Sequence, residues 1–281
     1  MRNPPLFLPR RRFLAGGVGA TAAILAGPPS RPAGAAEAAA GIERSSETLA
    51  AQLHASLSPR QRQQICFAWD HVHPKFGLLR TRVANNWNAT EPAIAGDFFT
   101  GEQKRLIRDI FEQLVAPEWH ARFDKQMEDD CGGFGHGQSI ALIGAPGSGR
   151  FQFLLTGRHM TLRCDGDSAE HVAFGGPIFY GHDAGGDTEE PNHPGNVFWP
   201  QAVAANGVYG MLDGRQRSQA LVDGLPRENA VGFRPRGATP PGIAVADLSA
   251  DQRAELERVL GLLLEPFRDR KSTRLNSSHA N

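Results

Sequence analysis

Net charge is the first thing this sequence lacks. Its 30 Lys plus Arg offset 30 Asp plus Glu across 281 residues. With no basic field to hold a polyanion, nucleic acid is not an expected partner. Cysteine is scarce as well. Cys66, Cys131 and Cys164 stand too far apart for the close pairs of zinc ribbons and redox motifs. Beyond the N-terminus no apolar run approaches the roughly 20 residues of a membrane helix, so no stable span is expected in the mature chain. The Gly-x-Ser-x-Gly elbow is missing, and Ser139, Ser148 and Ser168 lack the setting of an activated nucleophile.

A nucleotide-cradling loop is absent too, although Gly144-Ala145-Pro146-Gly147-Ser148-Gly149 resembles one at a glance. That loop needs a Lys and then a Ser or Thr opening a helix, and Arg150 and Phe151 stand there instead. The stretch that follows, FQFLLTGRHMTLR, is aromatic, Thr-bearing and strand-like. Pro-Gly and Ser-Gly mark a turn, so a hairpin is expected, with Ser139–Ala145 and Arg150–Arg163 as its arms.

Arg10-Arg11-Arg12-Phe13-Leu14 precedes a short Gly- and Ala-rich apolar run, with small-residue cleavage options after Ala35 or Ala38. That order is a twin-arginine export signal over residues 1–38. It implies the twin-arginine translocation machinery as a partner and a periplasmic or secreted destination. At the other end, Asp269–His279 reads DRKSTRLNSSH, which matches a translated sequencing adapter codon for codon. Residues 269–281 are therefore expected to be an artefact, and 42–268 a single domain left incomplete at its C-terminus.

Four segments set an oxygen-bearing residue three positions before a Gln: Ser58/Gln61, Thr100/Gln103, Asp213/Gln216 and Ser249/Gln252. Each is a capping box and predicts a helix start. Their irregular spacing is that of recurrent capping, not of a solenoid. Between the second and third lies the β region, the hairpin followed by HVAFGGPIFYG from His171 to Gly181, expected to form an antiparallel meander. Capped helices around an antiparallel sheet make an α+β fold. A hairpin turn between Gly147 and Ser148 places Cys164 opposite Cys131 if the ladder runs that far. An oxidising compartment would permit a disulfide there, with buried free thiols the alternative.

Alternation along the second arm puts Phe151, Phe153, Leu155, Gly157, His159 and Thr161 on one face, the rest on the other. His159 beside Gly157 draws interest because glycine admits a close approach and imidazole is a common base and metal ligand. Asp70, with His71 and His73 in DHVHP, forms a further candidate set. The acidic, His-containing stretch His182–His193 reads as a polar loop. Trp87, Phe151 and Phe153 are candidate pocket walls or core.

GAPGSGRFQFLLTGRHMTLRCDGD and then GGPIFYG resemble the domain-of-unknown-function family 3500, DUF3500, whose members carry a Gly-Thr-Pro-Ser turn, an aromatic strand, a Gly-His-His stretch and Pro-x-Phe-x-Gly. The likeness extends to LSPRQRQQICFAWD, Asn86-Trp87, AANGVYGMLDGRQRSQAL and GIAVADLSADQRAEL, spanning Leu57 to Phe267. Arg158 stands where the family has its first His. The family continues into a second strand block with a His-x-His element, which the adapter residues displace here. The resemblance implies a strand-borne His converging with that pair on a divalent or transition metal, which takes about three or four ligands. The expectation is an exported, metal-assisted enzyme acting on a small molecule. Catalysis is expected at His159 and Asp70, metal ligation at His159, and ligand contacts at Arg158, Asn86 and Trp87. A non-catalytic exported binding protein is the alternative.

Overall fold

A computed structural model of the chain describes residues 46–164, 176–182, 193, 195–222, 224, 237–239 and 241–268. Among the described residues the α-helices are α1 (Ser46–Ser56), α2 (Pro59–Ile65), α3 (Gly101–Leu114), α4 (His120–Cys131), α5 (Trp199–Gly210), α6 (Gly214–Ala220) and α7 (Ala250–Leu264). The strands are β1 (Cys66–Phe67), β2 (Val72–His73), β3 (Gly77–Leu78), β4 (Gln138–Ala145), β5 (Arg150–Gly157), β6 (Met160–Cys164) and β7 (Phe179–Tyr180). The architecture is α+β: a five-stranded sheet in the order β1-β4-β5-β6-β7, plus the small β2-β3 hairpin. All four capping boxes form, each with the cap oxygen accepting from the Gln amide and the Gln side chain accepting from the cap N–H.

The Gly-rich loop closes the β4–β5 hairpin. Ser148 Oγ donates to the Ala145 carbonyl at 2.6 Å and accepts from Arg150 N at 3.1 Å. Gly144 needs its missing side chain, because its φ is 80° and a Cβ there would collide with the Arg150 carbonyl. Three details differ from the sequence expectation. The Arg150–Arg163 arm is two strands, because the chain reverses at Arg158-His159 so that Gly157 faces Met160 and Phe153 faces Cys164. The sheet is mixed, since β1 joins β4 in parallel. The turn also removes the geometry of a Cys131–Cys164 disulfide: all three cysteines are free, and Cys131 Sγ donates to the Met127 carbonyl. Of His171–Gly181, only Gly176–Gly181 lie within the described residues, and Phe179–Tyr180 pairs with β6 as expected.

Alternation gives the sheet two buried faces. Ile140, Leu142, Phe153, Leu155, Met160 and Leu162 meet Leu53 of α1, Ile107, Ile110 and Phe111 of α3, and Phe123 and Met127 of α4 in the main core. The other face carries Ala141, Ile143 and Leu154, covered by Leu79, Ala84, Trp87 and Ala89 in a strap whose regular structure amounts to a 3-10 turn at Leu79–Thr81 and a bridge between Asn86 and Arg158. Such a strap must find partners for its polar backbone. They come from hydroxyls in register across three strands, Ser139 opposite Thr156 and Thr156 opposite Thr161. Thr156 Oγ1 accepts from Ala89 N at 2.9 Å, and Thr161 Oγ1 donates to the Ala84 carbonyl at 2.7 Å.

Arg163 lies on this face, fully buried. Its Nε donates to the Arg80 carbonyl at 3.3 Å, and its terminal nitrogens donate to the carbonyls of Arg82 and Pro177. Burial pushes the guanidinium pKa down to about 9, so the group remains charged at neutral pH. Five fixed donors suit it to tie strap, sheet and the β7 approach together.

Candidate functional site

The centre is built at the end of the sheet where β4 begins and β5 turns into β6. Three elements converge there. From α4 comes Asp130, in the last helical turn before Gly132, whose φ of 80° ends the helix. The Gly132 and Gly133 amides take up the carbonyls of Glu128 and Met127 at 3.0 Å each, and with Gly132 in the left-handed region the first of these is the 5→1 bond of a left-handed cap, which ends the helix just past Asp130. The β5–β6 turn contributes His159. The chain leaving β7 contributes His182, positioned by Gly181 N donating to the His159 carbonyl at 3.1 Å.

The Asp130 side chain is 0 % exposed and takes three donors. His159 Nδ1 lies 2.7 Å from Oδ2, His182 Nδ1 lies 3.1 Å from Oδ1, and Gln126 Nε2 donates to Oδ2 at 2.6 Å. A carboxylate only accepts, so both imidazoles carry their proton on Nδ1 here and leave Nε2 for other work. His159 is 16 % exposed at its side chain and His182 4 %. Among the described residues His182 Nε2 has no hydrogen-bond partner, and the carboxylate of Asp129 lies 3.7 Å from it.

Two local costs coincide at this point. The last turn of a helix is its negative end, unfavourable for a carboxylate by roughly 0.3–1 kcal/mol. His159 has φ 54°, the only non-glycine residue with positive φ among those described. A side chain in that region costs about 1–2 kcal/mol. Gly157 before it has no alternative, because a Cβ would lie 2.6 Å from the Gly137 carbonyl.

The sequence-derived candidates divide. Arg158 is half-buried beside His159 and bridges backbone to backbone with Asn86, so these two do adjoin the centre. Trp87 follows Asn86 but turns inward: it is 5 % exposed, with Nε1 donating to Thr161 Oγ1 at 2.8 Å. Asp70 does not join. It is exposed on the turn after β1, next to Trp69, which packs at Gly144 near the far end of β4. Parallel pairing of β1 with β4 carries the chain away from Gln138, and that separates Asp70 from His159. His73 is a turn element, its Nδ1 accepting from Lys75 N and Phe76 N while its ring stacks on Phe76 at 4.5 Å. Phe153 is core, and most of His182–His193 lies outside the described residues.

Asp130 was missed from sequence. The available signal was two acids, Asp129 and Asp130, ending a helix just before Cys131-Gly132-Gly133, where the dipole opposes them. Among the described residues no group of three or more His, Cys, Asp or Glu is arranged to hold a metal ion.

Residues 44–280 match the family described as "Protein of unknown function (DUF3500)". The chain belongs to this family. No curated protein and no solved structure shows significant similarity to it. This DUF3500 chain also has no helix among its described residues long and apolar enough to cross a membrane.

Proposed function

We propose that this DUF3500 protein is exported folded by the twin-arginine route and acts as an enzyme on a small molecule through the Nε2 atom of His159. The observation that carries the reading is the buried Asp130 carboxylate holding His159 by Nδ1 at 2.7 Å. An imidazole so held is fixed in orientation and tautomer, and its free nitrogen is poised to take a proton or bind a metal. Arg158, next in the chain, supplies a cation able to orient an anionic group of the ligand.

The metal-assisted form draws its support from His182. Its buried Nε2 lacks a hydrogen-bond partner among the described residues, and its Nδ1 rests on the same carboxylate as that of His159. Two imidazole nitrogens are fewer than the three protein ligands of a catalytic zinc site, so this set is partial. A bound divalent ion would polarise a substrate oxygen or activate water. The non-catalytic pocket finds less support, because Trp87 is packed away.

Elemental analysis of the protein purified from its exporting host tests this. Near-stoichiometric transition metal, lost in His159→Ala and His182→Ala alike, supports the metal-assisted form. Metal-free protein with a turnover abolished by His159→Ala supports proton transfer. Unchanged ligand binding and chemistry in His159→Ala would end the proposal.

A further inference from the structure

Between Trp69 and Thr90 the chain carries Lys75, Arg80 and Arg82 against a single acid, Asp70, in a protein whose charges otherwise balance. Folding gathers these cations around aromatic rings. Arg80 lies in the strap's 3-10 turn and Arg82 at its exit. The Arg80 guanidinium carbon is 5.0 Å from the centre of the Trp69 ring, and that of Arg82 is 5.5 Å from Phe76 and 6.0 Å from Trp87. Lys75 Nζ, in the turn between β2 and β3, lies 5.3 Å from the same Phe76 ring. His73 stacks on Phe76 at 4.5 Å, and Phe76 meets Trp87 edge-on at 5.2 Å. Trp69, Phe76 and Trp87 all belong to the apolar cluster under the strap, so the cations share one aromatic floor.

A cation over a ring uses the face of its guanidinium. The N–H donors lie in the plane and point elsewhere. Here they find no protein acceptor. Nε of Arg80 and Nε of Arg82 are both shut off from solvent without a hydrogen-bond partner, and among the described residues neither side chain meets a carboxylate. Stacking does not replace the hydration that these edges have given up.

The two arginines are also held at a set spacing. Fully buried Arg163 donates from Nε to the Arg80 carbonyl and from a terminal nitrogen to that of Arg82. It brings a third positive charge whose own partners are carbonyls, not a carboxylate. Three guanidinia gathered in this way make a field that an anion would neutralise. The cluster is set apart from the His159 turn. Trp69 packs at Gly144, and Arg163 pairs with Leu154, which places the cations along the strap towards the β4–β5 hairpin.

We propose that Arg80, Arg82 and Lys75 form a binding site for a small oxyanion, a phosphate or carboxylate group, separate from the His159 centre. The planar edges of the two guanidinia supply paired donors that match either group, and exposed Lys75 supplies a movable charge at the rim. The ring faces serve the cations, so the ligand is recognised by its anionic group and not by stacking.

Nitrogen spectra of the arginine side chains in the unsubstituted protein test this. On titration with inorganic phosphate or malonate, the Nε–H signals of Arg80 and Arg82 shift saturably, while sodium chloride at matched ionic strength leaves them in place. The anion that saturates at lower concentration identifies the group the site takes. By calorimetry, Arg80→Gln and Arg82→Gln each weaken its binding about 10-fold or more. Lys75→Gln, on an exposed turn where folding is not at stake, weakens it about 3-fold. An equal shift with chloride, no saturable shift with either anion, or binding that is lost in His159→Ala and kept in both arginine variants would each overturn the site.

Discussion

Replacing His159 in three different ways separates its backbone from its ring. The side chain donates from Nδ1 to a carboxylate with no solvent access, and its backbone sits at φ 54°. Removing the ring in His159→Ala leaves a buried acceptor short of one donor, a loss of about 2 kcal/mol. Larger losses are not expected, because Gln126 and His182 still reach Asp130. Alanine also keeps the left-handed strain. Glycine loses the same hydrogen bond but sheds that strain, so His159→Gly should be about 1 kcal/mol more stable than His159→Ala. Asparagine tolerates positive φ, and its amide can donate to Asp130. His159→Asn should then lie within about 1 kcal/mol of the parent while still lacking Nε2. Urea unfolding of the four proteins, with equal m-values as a condition, measures the order parent, Asn, Gly, Ala. Alanine as stable as the parent would show that the Asp130 pair is not made. Glycine no better than alanine would refute the backbone argument. If Asn restores stability and ligand binding or turnover together, Nε2 has no functional role.

Other expectations follow from the same geometry. Arg163→Met strands three carbonyls inside the protein and should cost about 3 kcal/mol, seen as a lowered Tm, with Arg163→Lys recovering less than half because one ammonium cannot span the three. Burial pushes the Cys66 thiol up to about 11, against a coulombic pull downward from Arg62. At pH 8 its thiolate fraction is then about 100-fold below that of an ordinary thiol, so mass spectrometry after brief iodoacetamide treatment should find Cys66 unmodified; rapid alkylation would contradict the packing of β1. The folded-state value lies above the unfolded one, so this thiol's contribution to stability is full below pH 9 and is lost as pH rises towards 11. Trp87→Phe removes the indole donor to Thr161 and should cost about 1 kcal/mol in urea titrations.

Local chemistry was legible and long-range geometry was not. The four helix starts could be read because a capping box is complete within four residues, and each forms as written. The hairpin at Gly147 was legible for the same reason. The second reversal, at Arg158-His159, carries no such sign: glycine or asparagine usually supplies positive φ, and histidine does so only where something else holds it. That error put His159 on the wrong face of a longer strand and Cys164 opposite the wrong residue. Asp70 looked promising because three polar residues lay close in sequence, yet parallel strand pairing, which nothing in a short window encodes, takes it away from His159. Asp130 joins the site from 29 positions upstream.

These observations bear on why the centre sits where it does. A buried carboxylate at a helix C-terminus is disfavoured by desolvation and by the dipole together, so it persists only with donors fixed in place. Gln126 is one turn away on the same helix and supplies one donor without help from elsewhere. The imidazoles must be brought in, His159 by a left-handed turn and His182 by the exit from β7. A simple structural acid would be satisfied more cheaply by serine or threonine hydroxyls, which this fold uses freely where the strap meets the sheet. Spending a strained backbone and two imidazoles on one carboxylate makes sense when the far nitrogens of those rings have chemistry to do. That argument depends on the strain at residue 159, which the glycine and alanine replacements measure directly.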